Sequence, residues 1–131
     1  KVYETDPLYY LPQPKFLNAV CQVMTDLDPH DLLGVTQSIE KEIGREFSFL
    51  NAPRIIDIDI LFFGGLCLTS KNLTIPHPLL HERAFALMPL VDLVPNMRHP
   101  VLKKTLSKLL YMVEGKDGVC TYKEQINLQA I

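Results

Sequence analysis

Asp57 and Asp59 are the pair whose type and spacing most invite chemistry in this 131-residue chain. They lie in Pro53-Arg54-Ile55-Ile56-Asp57-Ile58-Asp59-Ile60-Leu61-Phe62-Phe63-Gly64, a β-branched and aromatic run that opens on a proline and stops at Gly64-Gly65. Such a run predicts a strand. Period-two alternation puts Ile56, Ile58, Ile60 and Phe62 on one face and both carboxylates on the other, roughly 7 Å apart. Side-by-side carboxylates repel unless a cation joins them. Mg²⁺ suits the pair, because this hard ion is commonly held by one or two carboxylates together with substrate phosphates. A bare Asp-x-Asp is more often a solvated strand face, so the rest of the chain must decide.

The composition narrows the classes. With 47% hydrophobic and 21% charged residues the chain has the balance of a soluble globular protein, and its length predicts one domain. A net charge of −2 without a run of Lys or Arg argues against a nucleic-acid surface. Cys21, Cys67 and Cys120 are odd in number, widely spaced and without a CxxC, which reads as reduced thiols in an intracellular protein. A cytoplasmic location is expected, with an organelle as the alternative. No apolar run approaches the ~20 residues of a membrane span.

The elements that must position the carboxylates follow in order. Lys1 to Thr5 looks like the end of a strand already under way, broken at Asp6-Pro7, and prolines then shape a loop to Pro14. Phe16 to Thr25 predicts a second strand. Its Leu17, Ala19, Cys21 and Val23 face is wholly apolar and is expected to be the core side; Phe16 and Asn18 share the other. Asp28-Pro29 opens a helix with Asp28 as N-cap and Pro29 at N1. Leu32, Thr36, Ile39 and Ile43 recur at helical spacing, Gly44 stops the helix, and Gln37 and Glu40 are neighbours on one side of it. Leu73-Thr74-Ile75 is a short extended piece. Leu79 to Leu93 reads as mostly helical, interrupted at Pro89, and Val101 to Val113 as an amphipathic helix with Leu102, Leu106, Leu109 and Leu110 inward. This order predicts an α+β sandwich, with helices packed on an antiparallel sheet.

Taken together, Thr5, Phe16-Leu17-Asn18-Ala19-Val20, Gln37 with Glu40, Gly44-Arg45, Pro53-Arg54-x-x-Asp57-x-Asp59-Ile60-Leu61, Ile75-Pro76-His77-Pro78 and Arg83-Ala84-Phe85-x-Leu87-x-Pro89-Leu90 resemble the hydroxymethyldihydropterin pyrophosphokinases of folate biosynthesis. The resemblance runs from Lys1 to about Val113. It implies a ferredoxin-like α/β sandwich, a pyrophosphokinase-like domain over residues 1–113, and an edge strand or linker over 114–131. It also implies transfer of the pyrophosphoryl group of ATP to the hydroxymethyl oxygen of a reduced pterin, with release of AMP.

The same resemblance assigns roles. Asp57 and Asp59 would hold two Mg²⁺ ions against the ATP phosphates, in the manner of two-metal clamps. Arg45 and Arg54 join them as catalytic residues. Phe16 and Phe85 would sandwich the pterin, read by Asn18 and by backbone near Thr5 and Leu8. Gln37, Glu40, Arg45, Arg54, Ile60, His77 and Arg83 match positions near ATP, with Arg54 and Arg83 as phosphate forks. Small molecules are the implied partners, with covalent fusion or association with dihydropteroate synthase or dihydroneopterin aldolase.

Two departures from the family pattern stand out. Upstream of Lys1 the family has a strand, a Gly-Ser-Asn loop and a long helix, so a central strand is expected to be missing. The loop Glu46 to Ala52 carries no Lys or Arg, and Ala52 stands where glycine is usual. These support a second reading, a non-catalytic pterin- or nucleotide-binding remnant serving as an interaction module in a multifunctional folate-synthesis polypeptide. A metal-dependent phosphohydrolase is a third, disfavoured because His77, His81 and His99 lack tight metal spacing.

Overall fold

The computed structural model describes residues 1–5, 16–44 and 56–123. They contain, in order, β1 (Val2–Thr5), β2 (Phe16–Asn18), α1 (Pro29–Ile43), β3 (Leu68–Thr69), β4 (Thr74–Ile75), a 3₁₀ turn at Leu80–Glu82, α2 (Ala84–Leu93), α3 (Leu106–Met112), a second 3₁₀ turn at Lys116–Gly118, and β5 (Val119–Lys123). All strand pairings among the described residues are antiparallel, and the class is α+β. The chain divides into two compact units, one made of Lys1–Val23 with Leu79–Ile131, the other of Met24–Pro78.

The first unit is built on a three-stranded sheet in the order β2-β1-β5. Tyr3 of β1 stands opposite Asn18, and Thr5 opposite both Phe16 and Val119. Residues directly opposite share a face, so Tyr3, Thr5, Phe16, Asn18 and Val119 all project to one side. On that side Tyr3 and Val119 are buried, the Tyr3 hydroxyl donating to the Asp92 carboxylate of α2, while Phe16 is about half exposed. The other side carries Glu4, Leu17 and Cys120, and both Leu17 and Cys120 are exposed. The sequence-based choice of core face on the second strand is therefore not met, and Phe16 on the other face is as exposed as Leu17. Leu17, Ala19, Cys21 and Val23 are all exposed. The strand is also shorter than expected, because β1 offers it partners only from Tyr3 to Thr5.

Helix α2 runs through Pro89 without a break. An internal proline costs a helix about 3 kcal/mol. Ala84, Ala86, Leu87, Pro89 and Leu90 are all buried, and that burial offsets the missing hydrogen bond. Leu106 and Leu109 of α3 complete this core. α3 begins only at Leu106, with Thr105 as N-cap accepting from the Lys108 N–H. Residues 98–105 instead fold around buried His99, and Leu102 is more than a third exposed. Lys103 adopts φ 59°, a conformation no helix interior accepts.

In the second unit, α1 has the expected boundaries. The Asp28 carboxylate accepts from the Asp31 N–H at 2.8 Å, Pro29 occupies the first turn and Gly44 is the C-cap. β3 and β4 form a hairpin, Leu68 opposite Ile75 and Thr69 opposite Thr74. Its turn is tied by Ser70, whose N–H donates to the Leu73 carbonyl at 2.9 Å. Residues 56–63, read from sequence as strand, pair with no strand among the described residues. Their backbone is held from elsewhere: the Ile58 N–H donates to a helix side chain, and the Leu61 carbonyl accepts from the His77 N–H at 3.0 Å.

Candidate functional site

Each unit carries one constellation of the residues singled out above. In the first, Thr5, Phe16 and Asn18 share one face of the sheet because β1 and β2 pair in the register that sets Thr5 against Phe16. The Asn18 Nδ2 donates to Thr5 Oγ1 at 2.5 Å, which fixes the orientation of the amide. Phe16 is about half exposed beside it. Phe85 is half-buried in the first turn of α2, with the Arg83 guanidinium 5.6 Å from its ring centroid. An aromatic ring and an oriented amide on one surface suit a flat ligand with a polar rim.

In the second unit, Asp59, Ile60 and His77 line one cavity of about 310 Å³ together with Leu33, Ile58, Lys71, Asn72, Leu73, Thr74 and Pro78. Three elements build it. Helix α1 contributes Leu33. The segment after it contributes Ile58 to Ile60. The hairpin turn and the residues following β4 contribute the rest, with the His77 backbone bonded to Leu61. Leu33, Ile60, Leu73 and Pro78 make an apolar wall; Asp59, Lys71, Asn72, Thr74 and His77 supply charge and hydrogen bonds. Pockets with apolar walls and a few placed polar groups are what small molecules occupy.

Asp57 and Asp59 are both exposed, and Glu40 is half-buried on α1. The Glu40 Oε2 accepts from the Ile58 N–H at 2.9 Å, which ties α1 to the residue between the two aspartates. Among the described residues no group of three His, Cys, Asp or Glu side chains is arranged to hold a metal. Gln37 is exposed one turn before Glu40. Leu8, Arg45, Arg54 and the loop Glu46 to Ala52 lie outside the described residues.

Sequence reasoning missed Leu33, Lys71, Asn72 and Thr74 as cavity residues. A signal existed for the first: Leu33, Gln37 and Glu40 are spaced by four and three, a single helix stripe. The other three come from the β3–β4 hairpin, Lys71 and Asn72 from its turn and Thr74 from β4, and no periodicity connects them to the aspartates.

These constellations define an α+β protein with paired carboxylates beside a small-molecule cavity and an aromatic–amide surface on its sheet. Comparison with known sequences names the group. The sequence model of 7,8-dihydro-6-hydroxymethylpterin-pyrophosphokinase matches residues 1–95, and the chain belongs to that family, whose fold is of the ferredoxin-like kind. It is 46% identical over 130 residues to the folic acid synthesis protein fol1 of Schizosaccharomyces pombe, covering 99% of this chain and 18% of that protein. It is 48% identical over 108 residues to the folic acid synthesis protein FOL1 of Dictyostelium discoideum, covering 82% of this chain and 16% of that one. A shorter relative is the 2-amino-4-hydroxy-6-hydroxymethyldihydropteridine pyrophosphokinase of Aquifex aeolicus, 40% identical over 107 residues, or 82% of this chain and 67% of that protein. The chain thus spans less than a fifth of the two longer relatives. A folate synthesis bifunctional protein of Arabidopsis thaliana with 47% identity over 71% of this chain is named mitochondrial. Among the described residues no helix is long and apolar enough to cross a membrane.

Proposed function

We propose that this chain carries out the Mg²⁺-dependent transfer of pyrophosphate from ATP to 6-hydroxymethyl-7,8-dihydropterin in folate synthesis. The observation that carries the reading is the cavity that joins Asp59 to Ile60 and His77. Sequence resemblance assigned those three residues to metal and nucleotide, and they meet in one place.

The nucleoside of ATP enters that cavity against Leu33 and Ile60, with Thr74, Asn72 and His77 as hydrogen-bonding partners. Its phosphates extend toward Asp57 and Asp59, and Lys71 adds a positive charge at the rim. The donor set fits Mg²⁺: two exposed carboxylates offer only oxygen, and the substrate supplies further oxygens. When bound, the ions neutralise charge that develops on the phosphates. The chain's own contribution is placement, which dominates phosphoryl transfer. Phe16, Phe85, Asn18 and Thr5 hold the pterin and orient its hydroxymethyl group. Its oxygen attacks the β-phosphorus of ATP and loses its proton, the bond from that phosphorus to the α–β bridging oxygen breaks, and AMP departs with the oxygen. Arg45, Arg54 and Arg83 complete the phosphate contacts.

The length and names of the relatives support a further point, that this chain works as one module of a multifunctional folate-synthesis polypeptide. Dihydropteroate synthase and dihydroneopterin aldolase are the proposed companions. The test is AMP formation from ATP and Mg²⁺ with and without the pterin. AMP produced only when the pterin is present is the expected result. Pterin-independent phosphate release marks a phosphohydrolase instead, and binding of both ligands without AMP marks a binding module.

A further inference from the structure

The residue between the two aspartates is not left to position itself. We infer that Glu40 is a positioning residue for the Asp57–Asp59 pair, acting through the backbone rather than on nucleotide or metal. The inference rests on the functional reading above and assigns Glu40 a different task from the nucleotide contact that family resemblance implies. The Glu40 Oε2 accepts from the Ile58 N–H at 2.9 Å. That N–H belongs to the peptide unit linking Asp57 to Ile58, and the unit is planar. Holding its N–H therefore fixes the turn of the backbone just after Asp57 and just before Asp59.

A second tether lies on the far side of the pair. The His77 N–H donates to the Leu61 carbonyl at 3.0 Å. The aspartates are thus bracketed by Glu40 at residue 58 and by the His77 backbone at residue 61. This matters because, among the described residues, 56–63 pair with no strand. A paired strand holds its side chains through a row of inter-strand bonds. Two holds on this segment among the described residues are a glutamate carboxylate and a loop amide. Glu40 is itself fixed in the interior of α1, half-buried, one turn beyond buried Thr36. The carboxylate bond to an N–H is charge-assisted, the stronger kind. Groups that orient metal-binding carboxylates from behind commonly change metal affinity 10- to 100-fold when removed.

Three variants of the full chain separate this role from direct contact: Glu40→Ala, Glu40→Gln and Glu40→Asp. The readout is Mn²⁺ binding by electron paramagnetic resonance, with α,β-methylene ATP and no pterin, so that no turnover is needed. Glu40→Ala is expected to weaken Mn²⁺ binding roughly 10- to 100-fold. Glu40→Gln keeps the reach and an accepting oxygen, and is expected to stay within about threefold of the parent, given the smaller energy of a neutral hydrogen bond. Glu40→Asp keeps the charge but is one methylene short, and is expected to bind Mn²⁺ more weakly than Glu40→Gln. The opposite order, with Asp better than Gln, means the charge acts directly on ion or nucleotide and overturns the inference. So does parent-like binding in all three. A parent chain that binds no Mn²⁺–nucleotide overturns the functional reading itself, and this inference with it.

Discussion

Mild acid should destabilise the first unit through His99. This imidazole is 4% exposed. Its Nδ1 accepts from two backbone groups, the Val101 N–H at 3.2 Å and the Leu102 N–H at 3.0 Å. The backbone of His99 is held as well, its N–H donating to the Lys104 carbonyl and its carbonyl accepting from the Lys103 N–H. Protonation would place a third N–H where two donors already point. Burial lowers the pKa of His99 below its ordinary value of 6.5, and the charge of His81 lowers it further. In the unfolded chain the imidazole titrates near the ordinary value. The unfolded state therefore binds more protons between the two pKa values, and stability falls as pH drops below about 6.5. One proton contributes at most about 1.4 kcal/mol per pH unit, so the loss from pH 7 to 5.5 from this side chain is bounded near that figure. Urea unfolding of the parent and of His99→Asn at both pH values measures it. An asparagine oxygen accepts from the same two amides and does not titrate. The variant should lose less stability on acidification than the parent, by up to about 1.4 kcal/mol. An unchanged acid sensitivity in His99→Asn would refute the reasoning and shift the acid response to another group.

Three further outcomes are expected. Asp57→Ala and Asp59→Ala should each abolish Mg²⁺-dependent AMP formation and leave pterin affinity nearly unchanged; equal loss of both would indicate that the carboxylates serve the fold. Phe85→Ala should weaken pterin binding about tenfold or more, from lost ring area and about 0.5–1.5 kcal/mol of ring contact, while ATP affinity changes little. Unaltered pterin affinity in calorimetry would sink the sandwich. Leu87 is fully buried in α2, so Leu87→Ala should cost about 2–5 kcal/mol in urea unfolding; a loss under about 1 kcal/mol would show a site able to collapse around the missing atoms.

Some of the candidate site could be read from the chain alone, and the reason is chemical type. Asp57-x-Asp59 drew attention because two carboxylates on one strand face suit a shared cation, and the blocks around it are what set it apart from a solvated face. Ile60 and His77 became candidates only through the blocks around them, and the cavity now places them beside Asp59. Lys71 and Asn72 of the turn and Thr74 of β4 escaped notice because a hairpin delivers them, and a polar hairpin end looks the same whether it faces solvent or ligand. For Glu40, the neighbour on the helix was legible in the sequence, and the bond to Ile58 across 18 residues was not.

The sequence by itself determined what hydrogen bonds of short range decide. Asp28, Pro29 and Gly44 set the ends of α1, because caps act on amides within a few residues. Gly64-Gly65 set the turn before the hairpin, Gly64 taking φ 55° there. Tertiary structure alone decided which side of β2 lies beside buried Tyr3. Pairing with β1 put Asn18, half-buried, opposite buried Tyr3, while Leu17 on the more apolar face stays exposed. It also carried α2 through Pro89, where burial along one helix face outweighed a single missing amide. Residues 56–63 show the same division. Their β-rich composition favours an extended chain, but a strand exists only where a partner pairs with it. Among the described residues, Glu40 and the backbone of His77 hold this segment at residues 58 and 61, in place of a paired strand's neighbour.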